Sequence, residues 1–422
     1  MDVIGWFGRE VSTQAAADGA RARRLLIAGY RADTLALRLG LDGQGPRVRR
    51  YGQRIVMDVV VDALAHPHRS ALVSLFVPCE LLTAAGITPY SLEAISGYLM
   101  GTGCAGPFQQ QAGCDGCAET MCSFHRTFWG AADAGLLPKP RFIIYTNLAC
   151  DGNMVTFHHL AASYGVPSFF IEVPYRRSEK AVADVASQLR DLAGFIAAQT
   201  GQPIDYGRLT QAVERSRSSI AAYGAYLDQT GRRWVPSDVT AEMYGVFASH
   251  LLLGSETGRR YWQGLADEVQ RQPDDGAIRL LWVHAIPYMQ PGLRQVIHCG
   301  GSVRITACDL CYDSMLDRGL DDDPYMFMAR RMVYSGFNGD PDLRIANALA
   351  MARRTAAQGI VIFNHAGCKS TLGASQLMRR AFEQAGLPTL VLDGDACCPA
   401  NTGDGQLKTR LQAFVEMLEA RR

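Results

Sequence analysis

Phe142-Ile143-Ile144-Tyr145-Thr146-Asn147-Leu148-Ala149-Cys150-Asp151-Gly152 decides the fold. Its first five residues show no alternation of apolar and polar side chains. They read as a strand buried on both faces, as in a parallel sheet covered by helices on each side. The apolar run ends in a cysteine, and a helical stretch over 153–164 follows. Strand, thiol-bearing loop and helix make the first part of a βαβ unit.

The same grammar extends in both directions. Upstream, 72–77 reads as a strand running into Pro78-Cys79-Glu80 and a short helix over 81–85 closed by Gly86. Downstream, 168–173 is a further strand, and a helical segment over 123–134 lies between. Two amphipathic stretches, 179–200 and 206–229, dominate a helical region that ends at the turn cluster Pro273-Asp274-Asp275-Gly276. Beyond it, strands are expected at 280–284, 302–306, 360–364 and 389–393, with a closing helix over 405–421. The expected class is α/β, with two parallel-sheet domains and a helical connecting region. Its parts are a helical N-terminal segment (1–65) with a surface arm around Arg21–Arg24, a first α/β domain (66–178), a helical connecting region (179–275) and a second α/β domain (276–422).

A chain of 422 residues exceeds one ordinary core. Forty-two basic residues balance forty-one acidic ones, which gives no electrostatic case for nucleic acid or an anionic membrane as partner. Met1-Asp2-Val3-Ile4-Gly5 lacks the basic start of a secretory signal. No stretch approaches the roughly 18 apolar residues of a membrane span. The expected location is cytoplasmic, where thiols stay reduced. Twelve cysteines therefore point to metal or redox chemistry rather than disulfides, although about half read as small buried hydrophobes.

The positions of the cysteines say more than their number. Ligands of open parallel sheets bind beyond the carboxyl ends of the strands. Cys79, Cys150 and Cys368 follow the strands 72–77, 142–146 and 360–364, so thiols from both halves can converge in one cleft. Cys104, Cys114, Cys117 and Cys122 crowd together in sequence. Two C-x-x-C pairs, Cys114/Cys117 and Cys308/Cys311, leave a zinc site as the sharpest alternative, but neither is flanked by short ribbon strands. Thiolates arriving from distant loops suit an iron–sulfur cluster. No P-loop, no G-x-S-x-G and no convincing G-x-G-x-x-G is present. His365, three residues before Cys368, is placed to donate to a cluster sulfur or a substrate. His284 ends a strand facing the same cleft. Glu80 and Glu172 are candidate acid/base groups, for which a satisfied buried carboxylate is the plainer alternative.

Four stretches and an ending carry a resemblance. They are 77–89 (Val-Pro-Cys-Glu-Leu-Leu-Thr-Ala-Ala-Gly-Ile-Thr-Pro), Cys122-Ser123-Phe124-His125-Arg126, Cys150-Asp151-Gly152 and His365-Ala366-Gly367-Cys368-Lys369. The ending runs from Gly386-Leu387-Pro388-Thr389-Leu390 through Asp393 and Asp395 to 406–417. Together they resemble the family of 2-hydroxyacyl-CoA dehydratases and benzoyl-CoA reductase subunits, from about residue 70 to the end. The resemblance implies Rossmann-like domains and a [4Fe-4S] cluster held by Cys122, Cys150 and Cys368, with one iron open to act as a Lewis acid on a carbonyl oxygen. It implies a homologous second subunit or a homodimer, an ATP-dependent activator protein as electron donor, and an acyl-CoA substrate. One electron turns that substrate into a ketyl radical anion, from which an unactivated hydroxyl leaves. His365 and Glu80 are then the catalytic candidates. One branch of the family carries a double-cubane [8Fe-9S] cluster, for which Cys104 and Cys311 are the extra candidate ligands. Cys114, Cys117, Cys397 and Cys398 stay unassigned. Three functions follow from the resemblance: a radical dehydratase or reductase subunit, a double-cubane reductase of a small non-CoA substrate, and a non-catalytic electron-relay partner subunit.

Overall fold

Residues 3–41, 45–319 and 321–421 are described by the computed structural model. The strands are β1 (Ser70–Val73), β2 (Thr88–Ser91), β3 (Phe142–Thr146), β4 (Ser168–Ile171), β5 (Ile278–Val283), β6 (Val303–Cys308), β7 (Gly359–His365) and β8 (Thr389–Gly394). They form two four-stranded sheets ordered β2-β1-β3-β4 and β6-β5-β7-β8. All the strand pairings are parallel. The expected α/β class with two parallel-sheet units is what the chain adopts, and both halves use the same strand order.

Continuous burial explains the central strands. Every residue of β3 and of β7 is buried, as apolar runs covered by helices on both faces must be. Two expectations need correction. The first strand ends at Val73 and not at residue 77; its last ladder bond is Ser74 N–H to the Ile144 carbonyl. Pro78, with no N–H to donate, lies in the turn that follows, and Cys79 caps the helix Glu80–Ala85. The strand β2, Thr88-Pro89-Tyr90-Ser91, was not foreseen. Its proline is tolerated because β2 is the edge of its sheet.

The N-terminal segment forms the helices Val3–Ala17, Gly19–Leu39 and Arg47–Ala65. Arg21–Arg24 is no loose arm but the first turns of the second helix, whose Ala22 and Leu26 are fully buried. The connecting region holds Glu179–Thr200, Tyr206–Thr230, Val239–Leu251 and Glu256–Gln270. Ser178, Asp205, Asp238 and Ser255 each accept a first-turn backbone N–H, which fixes where these four helices start. No helix is long and apolar enough to cross a membrane among the described residues.

Buried polar ties hold the halves in register. Glu80 from the first half accepts from Ser216 of the connecting region at 2.8 Å and from Arg331 of the second half at 2.5 Å. His250 sits edge-on to Phe76 and donates from Nε2 to the Leu310 carbonyl at 3.0 Å. Burial pushes its imidazole down to about 4 from an ordinary 6.5. The unfolded chain therefore binds the extra proton between those values, and stability is lost as pH falls from 6.5 to 4. The slope is at most about 1.4 kcal/mol per pH unit for this one group. Urea unfolding at pH 6.5 and 4.5 checks this: His250→Gln should reduce the acid loss relative to the parent chain.

Candidate functional site

In each sheet the chain leaves the first strand to one side and returns to the other. The crevice of the first sheet opens between the ends of β1 and β3, and that of the second between β5 and β7. The two crevices face each other. Leu75 and Phe76 after β1, Cys150 after β3, His284 after β5 and Cys368 after β7 all line one inner cavity of about 100 Å³. An outer cavity of about 600 Å³ adjoins it, lined by Asn147, Tyr175, Asn338 and Lys369 among others. Cys122, Cys150 and Cys368 line both, so the three thiols stand at the boundary.

Each thiol is delivered at the start of a helix. Cys122 caps Ser123–Asp133, Cys368 caps Lys369–Gln384, and Cys150 immediately precedes Asp151, the cap of Gly152–Tyr164. Free backbone N–H groups and the positive end of the dipole therefore point toward the sulfurs. The N–H of Phe124 faces the Cys122 sulfur, and those of Gly152 and Asn153 face that of Cys150, each favouring the thiolate. Cys150 is aimed by a strained turn. Ala149 sits in the left-handed region at φ 70°, a conformation that costs a non-glycine residue on the order of 1 kcal/mol or more. Asn153 holds the turn by donating to the Thr146 carbonyl at 3.0 Å. Gly367, at φ 81°, lets the Cys368 loop approach the Cys122 backbone; a Cβ there would lie 2.8 Å from both Cα and N of Cys122.

Two histidines stand behind the thiols. His365 Nε2 lies 3.1 Å from the Cys122 sulfur, and its Nδ1 accepts the Ala396 N–H at 3.1 Å. With Nδ1 accepting, the ring proton belongs on Nε2, pointing at sulfur. Burial lowers the pKa of His365, so the ring is neutral despite Asp395 nearby. Asp395 in turn accepts from Ser123, beside Cys122, and from the N–H groups of Cys397 and Cys398. On the other side His125 Nδ1 is 2.9 Å from Thr156 Oγ1, and its Nε2 lies 3.7 Å from the Cys150 sulfur. Burial pushes its pKa down to about 4.

A third layer braces the second half of the cleft. His284, at φ 79°, donates its backbone N–H to Asp309 at 2.6 Å. Asp309 accepts from Arg344 at 2.6 and 2.9 Å, and Arg344 donates to Thr371 in the helix that Cys368 caps. Burial holds the Asp309 carboxyl above its ordinary range even beside this guanidinium. Arg344→Ala would leave that acid buried without its partner. The expected loss is about 3–5 kcal/mol of stability, read as a fall in the urea midpoint.

The structure gathers Cys122, Cys150, Cys368 and His365 at one place. It does not bring Glu80, Cys104 or Cys311 there. Glu80 is sealed against Arg331 and Ser216. Cys104 is buried beside Thr102 and the Leu99 carbonyl, and Cys311 faces the Gly245 carbonyl. Cys79, likewise buried, faces the Val77 carbonyl, and Glu172 is exposed. The two C-x-x-C pairs do not meet. Cys114 is exposed and Cys117 packs with Ala112 and Trp129, while Cys308 lies against the His284 carbonyl. Among the described residues no three His, Cys, Asp or Glu side chains converge on a single metal ion. Sequence reasoning missed Glu93. Its carboxyl lines the inner cavity, accepts the Leu75 N–H at 3.2 Å and the Ser91 hydroxyl at 3.0 Å, and is raised in pKa by burial.

The donor set fits a thiolate-bound cluster. Burial raises the pKa of Cys122 well above that of a free thiol, with Cys150 and Cys368 adding to the rise, and pushes Cys150 up to about 12. Buried thiols such as Cys122 and Cys150 ionise once bound cations neutralise them, which coordinated iron would do.

The family model described as 2-hydroxyglutaryl-CoA dehydratase, D-component, matches residues 74–418. Similar curated proteins include the (R)-phenyllactyl-CoA dehydratase alpha subunit of Clostridium sporogenes, 22% identical, with 82% of this chain and 88% of that one aligned. The lactoyl-CoA dehydratase subunit alpha of Anaerotignum propionicum is 21% identical over 67% of this chain and 70% of its own length. The (R)-2-hydroxyglutaryl-CoA dehydratase subunit alpha of Acidaminococcus fermentans is also 21% identical, over 67% and 61%.

Proposed function

Because this chain belongs to the family described as the D-component of 2-hydroxyglutaryl-CoA dehydratase, we propose that it is the iron–sulfur subunit of a 2-hydroxyacyl-CoA dehydratase. The observation that carries this reading is the convergence of Cys122, Cys150 and Cys368, from both halves of the chain, on one cavity boundary. These three side chains would hold a [4Fe-4S] cluster. When bound, it supplies one low-potential electron and an iron open to a thioester carbonyl. The alpha-subunit relatives support a paired second subunit, and the family resemblance supports an ATP-dependent activator as the electron donor.

The chain's own residues do the rest. The apolar wall of the inner cavity, including Phe76, Val246, Phe247 and Phe337, excludes water from the reacting carbons. Glu93 is the one carboxyl in that wall, and burial keeps its proton on to higher pH than a surface glutamate does. It is the acid placed to give a proton to the departing hydroxyl. His365 donates its Nε2 proton to Cys122, which stabilises the thiolate. His365→Leu should therefore lower the cluster's midpoint potential by on the order of tens of millivolts with iron content retained, as read by an EPR-monitored redox titration.

The test of the proposal is anaerobic assay of the chain with its paired subunit, an ATP-dependent activator and 2-hydroxyacyl-CoA. The expected product is the 2,3-enoyl-CoA, with activity lost when activator or ATP is omitted. Enoyl-CoA formed at an equal rate without either would reject it.

A further inference from the structure

His284 is held where a histidine does not sit unaided. It follows β5 at φ 79°, a left-handed conformation that a non-glycine residue keeps only where its surroundings enforce it. Here the enforcement is a buried ion pair. The His284 backbone N–H is fixed by Asp309, and Arg344 braces Asp309 in turn. The residue is 9% exposed, and it lines the inner cavity.

His125, His284 and His365 line that cavity together, and their ring nitrogens are engaged differently. His365 accepts the Ala396 N–H on Nδ1 and faces the Cys122 sulfur with Nε2. His125 faces Thr156 and the Cys150 sulfur. Nδ1 of His284 is buried with no hydrogen-bond partner among the described residues. A buried polar atom left unpaired is unfavourable, and so is the backbone conformation that carries it. Both features at one residue point to a partner that the polypeptide does not supply. Burial lowers the pKa of this imidazole well below its ordinary value, so the ring is neutral and has one N–H to give.

The neighbours of the ring indicate the acceptor. Its centroid is 6.1 Å from that of His365, which touches the Cys122 sulfur, and Cys368 lines the same cavity. We propose that His284 donates its ring N–H to a sulfur of the bound cluster and so raises the cluster's reduction potential. This rests on the iron–sulfur reading above. Sulfur gains negative charge when a cluster is reduced, so a donor at that place stabilises the reduced form. His284 is then a positioning and tuning group from the second half of the chain, as His365 is beside Cys122.

His284→Gly tests the ring without straining the turn, because glycine adopts φ 79° freely. The anaerobically purified parent and variant are compared by EPR-monitored redox titration. The variant should keep the parent's iron content. Its cluster should be about tenfold harder to reduce, a downward shift of about 59 mV for one electron. His284→Asn also accepts the left-handed backbone and keeps an N–H donor, so it should recover part of that shift. No recovery assigns the shift to lost ring volume and overturns the donor role. A glycine variant at the parent potential, or one that carries no cluster, overturns it too, because a donor to sulfur tunes a cluster without holding it. A parent chain that itself carries no iron overturns the iron–sulfur reading as a whole.

Discussion

Cys150→Ala is expected to strip the chain of iron and of its visible absorption. The argument rests on how few thiols reach the site. Among the residues lining the two cavities, Cys122, Cys150 and Cys368 are the cysteines, and each comes from a different loop. Removing one would leave two donors for the proposed cluster, and no other cysteine lines either cavity to replace it. Retained iron should fall by about tenfold or more, with Cys122→Ala and Cys368→Ala behaving alike. Cys114→Ala is the control. Cys114 is exposed and outside both cavities, so its variant should keep full iron content. Circular dichroism separates ligand loss from misfolding: the Cys150 variant should keep its helical signal. Full iron in both Cys150→Ala and Cys368→Ala would mean that the ligands have been misassigned.

Glu93→Gln carries the second large effect. The carboxyl is positioned by the Leu75 N–H and the Ser91 hydroxyl, and its charge adds to the rise in the Cys150 pKa. Burial raises its pKa more than these hydrogen bonds lower it. A carboxyl so placed gives up its proton less readily than one in water, which suits a group that protonates a leaving hydroxyl. Glutamine keeps the size and can still accept the Leu75 N–H, but it has no acidic proton. Dehydration should slow by about 10²- to 10⁴-fold with iron content unchanged. The parent enzyme should lose activity as pH rises through the raised carboxyl pKa, and the residual activity of the glutamine variant should lack that limb. Turnover by Glu93→Gln within threefold of the parent, on the order of an ordinary surface change, would remove Glu93 from the chemistry.

Much of this arrangement was legible in the sequence, for physical reasons. The strands β3 and β7 announce themselves because buried parallel strands must be apolar without alternation, and Cys150 and Cys368 follow them directly. The edge strand β2 did not, because four residues with a proline carry no strand signal and pair only in the context of β1. Glu80 looked reactive from its place in a recognisable stretch, yet Arg331, 251 positions away, closes it off. Glu93 gave the opposite error. One acid in the first turn of the helix Leu92–Gly101 looks like an ordinary helix start, and only the facing sheet end and the helix Val239–Leu251 put it in a cavity wall. The crowd of thiols at 104–122 also misled. Of those four, Cys122 alone lines the cavities, because it caps a helix that points into the cleft, whereas Cys104 is turned into the core by its bond to Leu99. The helix caps behind the three thiols and the tautomer of His365 depend on contacts between distant segments, which a local pattern does not carry.

Iron and acid-labile sulfide per chain after anaerobic purification test the central claim most directly. Three thiols at one boundary predict about four irons and about four sulfides per chain, with the visible absorption of a cubane. A chain that carries no iron under these conditions, or about eight irons per chain, would contradict it.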